Sequence, residues 1–88
     1  MSDPLRTVDA LGTWCPVPIA LLRRAVARAA PGEILELLAD DPLVAVDLPA
    51  WCHDSGNVLE HMTDVGGVWR ARVRVATNPA LASRAPGQ

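Results

Sequence analysis

The residue types in this sequence suited to nucleophilic, redox or metal chemistry are two cysteines and two histidines. Cys15 stands apart from the rest. A short apolar segment runs up to Gly12, and a helical pattern begins at Pro16. The cysteine sits on that junction, so its sulfur is expected at a helix N-terminus. Free backbone N–H groups and the positive end of the helix dipole both favour a thiolate there. Pro16 reads as the first helical residue, where its fixed φ fits and its missing N–H costs nothing. Cys15 is then the N-cap, with sulfur where a Ser or Asp oxygen usually sits. Pro18 has no N–H, which leaves Val17 N–H as the local donor to the sulfur. Two prolines stiffen the first turn. The competing reading is an inert apolar N-cap that happens to be cysteine. Spacing alone leaves both open.

Other combinations carry less. Cys15, Cys52, His53 and His61 number four, as a zinc site needs, but no C-x-x-C or H-x₃-H spacing is present and no metal site is expected. A Cys15–Cys52 disulfide is disfavoured in a reducing compartment. Thioredoxin-type chemistry lacks the second cysteine two residues on. Cys52 follows Trp51 in an apolar stretch and reads as core. Nothing in the sequence ties His53 or His61 to Cys15, so both read as surface residues. Arg70, Arg72 and Arg74 read as the solvated face of a strand. Trp14 is a candidate exposed docking residue, since tryptophan is enriched at interaction hot spots.

The elements that must position Cys15 follow from periodicity. Leu5 to Leu11 reads as a strand. Pro16 to Ala30 reads as a helix, with Ile19, Leu22, Val26 and Ala29 on one stripe and Leu21 and Ala25 widening it. Arg23, Arg24 and Arg28 lie off the stripe, and Pro31-Gly32 stops the helix. Glu33 to Ala39 is almost wholly apolar after its start, as a buried central strand should be. Asp41 reads as the N-cap and Pro42 as the first residue of a second helical segment. Pro49 breaks or kinks that segment, with the main helix running from Leu48. Asn57 to Thr63 reads as a strand and Asp64-Val65-Gly66-Gly67 as a hairpin turn. In Val68 to Val75, Trp69, Ala71, Val73 and Val75 alternate with the three arginines. The order β-α-β-α-β-β predicts an α+β two-layer sandwich: a four-stranded mixed sheet with two helices on one face. The parallel first pair places Cys15 and the Asp41-Pro42 turn at the same sheet end.

Composition sets the outer bounds. The chain has 88 residues, half of them hydrophobic, with no Phe or Tyr. That predicts one domain over 1–76, its core built from aliphatics and tryptophans, and a disordered tail over 77–88. A net charge of −2 gives no basic field for nucleic acid or anionic membrane. No apolar run reaches transmembrane length, and Ser2-Asp3-Pro4 does not resemble a signal peptide. A cytosolic protein with reduced cysteines is expected.

Cys15-Pro16-Val17-Pro18 matches the C-P-x-P motif of the TusA/SirA-like sulfur-carrier family, and the chain resembles that family well beyond it. Val8-Asp9-Ala10-Leu11-Gly12 resembles its first strand and Leu-Gly turn. Pro31-Gly32-Glu33 ends the helix in the same way, and Ala39-Asp40-Asp41-Pro42 resembles its acidic-Pro loop. Asp47-Leu48-Pro49, Trp51-Cys52 and Ser55-Gly56-Asn57 resemble its second helix and exit. The likeness covers roughly residues 6 to 75. It implies this fold and a sulfurtransferase acting as a sulfur carrier. A cysteine desulfurase or other donor protein loads sulfane sulfur onto Cys15 as a persulfide, and an acceptor protein takes it on. The end use is tRNA thiolation, molybdenum-cofactor formation or sulfur oxidation. Pro16 and Pro18 supply loop geometry, and Asp41 stands as support at the active edge. No cofactor or metal, no direct nucleic-acid contact and a monomeric state are implied. Many members carry a polar or charged residue where Trp14 and Val17 flank Cys15 here. The alternatives are a non-catalytic regulatory module of the same fold and a single-cysteine redox sensor.

Overall fold

A computed structural model describes residues 6–76 of the protein. The chain runs β1 (Arg6–Ala10), α1 (Val17–Ala27), β2 (Ile34–Ala39), α2 (Val44–Ser55), β3 (Val58–Val65) and β4 (Val68–Arg74). The sheet order is β1-β2-β4-β3. β1 pairs parallel with β2, and β4 pairs antiparallel with both β2 and β3. This is the expected mixed four-stranded sheet. The tail expected over 77–88 lies outside the described residues.

One face of the sheet makes the core. Ala10, Leu35, Leu37, Ala39, Ala71 and Val73 point to it, and Ile19, Leu22, Val44, Leu48 and Cys52 of the helices close over them. Both helices therefore lie on the same face, as a single apolar sheet surface requires. β4 alternates as its sequence predicts: Ala71 and Val73 are buried and the three arginines are exposed. On the open face Glu36 of β2 is buried beneath Arg70 and Arg72, at 3.8 and 3.9 Å, with the Thr7 hydroxyl 3.5 Å away. The hairpin turn is tighter than expected. Only Gly66 and Gly67 lie outside the strands, with φ of 60° and 86°, which suits the mirror-image turns that match strand twist.

Both helices differ from expectation in their bounds. The first helix ends at Ala27, not Ala30. Ala30 and Glu33 instead close a small loop, in which Ala30 N–H donates to the Glu33 carboxylate and Glu33 N–H to the Ala30 carbonyl, both at 3.0 Å. The second helix starts at Val44, before Leu48, and runs through Pro49 unbroken. An interior proline costs a helix about 3 kcal/mol. Val44, Leu48 and Cys52 are spaced four apart and all buried, and each large apolar side chain so buried returns about 1.5–3 kcal/mol. Packing outweighs the lost bond.

Candidate active site

The parallel pairing of β1 with β2 sets Ala10 beside Ala39, so the loops that follow both strands emerge at one end of the sheet. Asp40 and Asp41 come from one loop and Cys15 from the other. Ala10 to Thr13 forms a turn closed by Thr13 N–H to the Ala10 carbonyl at 3.2 Å. Gly12 takes φ of 77° within it, a conformation glycine adopts without strain. Aspartates then clamp the loop. Leu11 N–H donates to Asp9 at 3.0 Å, Gly12 N–H to Asp40 at 3.0 Å, and Cys15 N–H to Asp41 at 2.6 Å. The other Asp41 oxygen accepts from Leu43 N–H at 3.0 Å. Asp41 is itself buried. It therefore ties the start of the second helix to the cysteine.

Cys15 is exposed and Cys52 is buried. The placement of Cys15 corrects the sequence reading in three respects. First, Pro16 is the N-cap and Cys15 precedes it, and the Cys15–Pro16 peptide bond is cis. Second, Val17 N–H does not serve the sulfur; it donates to the Trp14 carbonyl at 2.7 Å. Third, the sulfur finds a carboxylate instead of N–H groups. The Cys15 thiol donates to Asp47 Oδ2 at 2.9 Å. That contact is the main reason the thiol pKa is raised, with some desolvation by neighbouring atoms and the charges of Asp47 and Asp41 adding to it. A helix N-terminus offers about half a positive charge, and two full negative charges outweigh it. The contact opposes the thiolate that a helix N-terminus would favour.

The remaining sites fall as follows. Asp41 does not cap the second helix in the expected way: Leu43 is the N-cap residue, and Asp41 instead closes the turn that leads into it. Pro16 is exposed, whereas Pro18 is buried in the core and anchors the first turn of α1. His53 and His61 are both exposed; His53 lies beside Asp54, and the side-chain partner of the Cys15 sulfur is Asp47. Among the described residues no cluster of three or more His, Cys, Asp or Glu side chains could hold a metal ion. Trp14 is 78% exposed, and Leu11, Val17, Leu43 and Val46 add apolar surface on the same loops and helix starts. Gly12, Thr13, Trp14, Asp40, Asp41 and Pro42 line an open depression at this end.

The residue that sequence reasoning missed is Asp47. Its signal was present, because it is the lone charge in the apolar run Leu43 to Cys52. Starting the main helix at Leu48 hid it. With α2 starting at Val44, Asp47 falls in the first turn, where a carboxylate suits the helix dipole.

The family model for sulfurtransferase TusA matches residues 6–75. The chain belongs to this family. Its proteins relay sulfur between other proteins, so membership places the chain among the sulfur carriers. A SirA-like protein from Desulfitobacterium hafniense has the same fold, with a TM-score of 0.71 and 25% sequence identity, over 82% of this chain and 99% of that one. No helix among the described residues is long and apolar enough to cross a membrane.

Proposed function

We propose that this TusA-family protein carries sulfur on Cys15 as a persulfide between a donor and an acceptor protein. The observation that carries the reading is the placement of Cys15: an exposed thiol, in a loop clamped by Asp40 and Asp41, on the edge where both βα loops meet. Cys15-Pro16-Val17-Pro18 also matches the C-P-x-P pattern associated with sulfur transfer in this family. Family membership supports the transfer of sulfur; the residue and the chemistry are our reading.

The step needs no cofactor. The Cys15 sulfur, as thiolate, attacks the terminal sulfur of a donor persulfide. A bond forms between Cys15 Sγ and that sulfur. The donor's S–S bond breaks, and its electron pair leaves with the donor thiolate, which takes a proton. Net, Cys15–SH and R–S–SH become Cys15–S–SH and R–SH, with no net oxidation. A cysteine desulfurase is the donor class that fits, and hand-off repeats the same exchange. The cytoplasm, where thiols stay reduced, is the compartment that suits such a relay. The redox-sensor alternative differs in its product: peroxide would give a sulfenic acid on Cys15, a gain of oxygen where loading gains sulfur.

The test is loading from a desulfurase with labelled cysteine sulfur, resolved without reductant. Cys15→Ser keeps the size of the side chain and should fold but take no label. Cys52→Ser should still load. Label retained by Cys15→Ser, or none on the parent protein with several desulfurases, rejects the carrier reading and favours the regulatory module.

A further inference from the structure

The sulfur that must react is held by a carboxylate. Asp47 reaches from the first turn of α2 to the loop before α1 and accepts the Cys15 S–H at 2.9 Å across 32 residues of sequence. Asp41 holds the same residue by its backbone N–H at 2.6 Å. The thiol therefore lies in an acidic setting, and Trp14, Val17, Leu43 and Val46 are exposed apolar residues on the same loops and helix starts. Resting on the carrier reading above, we infer that Asp47 is a positioning residue that holds Cys15 as a neutral thiol in the free protein, so that the nucleophile is released only when a partner takes over that carboxylate.

The charged groups around the sulfur all act in the same direction. From α2 there is Asp47, and from the β2–α2 loop Asp41, with Asp40 on Gly12 N–H next along. From the end of β1 there is Asp9, whose carboxylate accepts from Leu11 N–H in the loop that follows. The first turn of α1, Val17 to Ala20, brings no charge. Among the described residues neither Asp41 nor Asp47 is in an ion pair, so no cation offsets the two carboxylates. Losing the S–H proton would break one hydrogen bond and set a thiolate against Asp47 at 2.9 Å. Both effects favour the thiol. An Arg or Lys brought by a donor protein reverses both. It draws Asp47 away and neutralises the edge, and the half-charge of the α1 N-terminus then favours the thiolate. The resting thiol is also spared stray electrophiles and oxidants, which attack thiolates.

The experiment uses the full chain and no sulfur donor, which separates it from the loading test above. Alkylation of Cys15 by neutral iodoacetamide is followed by peptide mapping from pH 6 to beyond 10. The expected rate midpoint in the parent protein lies above that of Cys15 in the urea-unfolded chain. Asp47→Asn keeps the shape and a hydrogen-bond acceptor but removes the charge. It should move the midpoint down and speed labelling at neutral pH, with the plateau rate for the full thiolate little changed. Asp54→Asn, at the far end of α2, should leave the midpoint alone. An unmoved or raised midpoint in Asp47→Asn overturns the proposal. Should Asp47→Asn fail to fold, the parent comparison decides: a folded midpoint at or below the unfolded one overturns it equally. A lowered midpoint in Asp47→Asn together with absent sulfur loading in the parent would retain the lock and reject the carrier.

Discussion

At the residue scale the two cysteines differ in what raises their pKa. Cys15 is exposed, and its thiol is pushed up chiefly by the hydrogen bond to the Asp47 carboxylate. Cys52 is buried between α2 and the sheet, and desolvation alone pushes its thiol up to about 11. The consequence for stability is one of sign. An unperturbed cysteine ionises at about 8.5. Between there and about 11 the unfolded chain loses the Cys52 proton while the folded chain keeps it. Fewer protons are then bound in the unfolded state, so stability falls as pH rises. That contribution is whole below the unfolded pKa and is lost as pH climbs through the folded one. The slope is at most about 1.4 kcal/mol per pH unit. Urea unfolding of the parent and Cys52→Ala across pH 8 to 11 measures it. The parent should lose stability more steeply, and parallel curves would refute the assignment. The core position of Cys52 was legible in the sequence, because Trp51 and an apolar stretch surround it. The raised thiol of Cys15 was not, because the carboxylate it donates to is 32 residues away. Local reading sees a helix dipole; it does not see a contact made by tertiary packing.

At the scale of elements, legibility followed the strength of the local pattern. β4 carries strict alternation and α1 a wide apolar stripe, and both were placed to within a few residues. α2 was misread where two local signals conflicted. A proline argued for a break, but the buried spacing of Val44, Leu48 and Cys52 decided for one helix. The reach of Asp41 was likewise visible only in part. Its place before Pro42 suggested a role at the helix entrance, yet its second oxygen holds Cys15 N–H in the other loop. Asp41→Ala removes both acceptors. It should lower stability by about 0.5–2 kcal/mol, the usual range for a lost cap. It should also quicken hydrogen exchange at the Cys15 amide, a readout that a cap confined to α2 would leave unchanged. Asp41→Asn keeps an oxygen for one partner and should cost less. Denaturant unfolding with amide exchange checks both, and an Asp41→Ala protein of parental stability would remove the residue from the scaffold.

On the scale of the whole molecule, charge and apolar surface are sorted by place. The open sheet face carries Arg70, Arg72 and Arg74, whereas the loop edge carries Asp40, Asp41 and Asp47 among exposed apolar side chains. A donor protein that delivers sulfur to Cys15 must meet that edge. Trp14 is its largest side chain, adjoins Cys15 and is 78% exposed, so it does little for the fold. Burying an aromatic anchor at the centre of an interface commonly contributes 2 kcal/mol or more, and about 1.4 kcal/mol is tenfold in affinity. Trp14→Ala should therefore slow sulfur loading from a donor protein by roughly tenfold or more at subsaturating donor. Two controls separate docking from chemistry. Unfolding should stay within about 0.5 kcal/mol of the parent, as for other surface changes. Alkylation of Cys15 by iodoacetamide should keep its pH midpoint, because Trp14 carries no charge and the small reagent needs no docking surface. A loading rate equal to that of the parent would place Trp14 outside the footprint. A shifted alkylation midpoint would instead show that Trp14 helps set the Cys15–Asp47 contact, and the slower loading would then belong to the thiol.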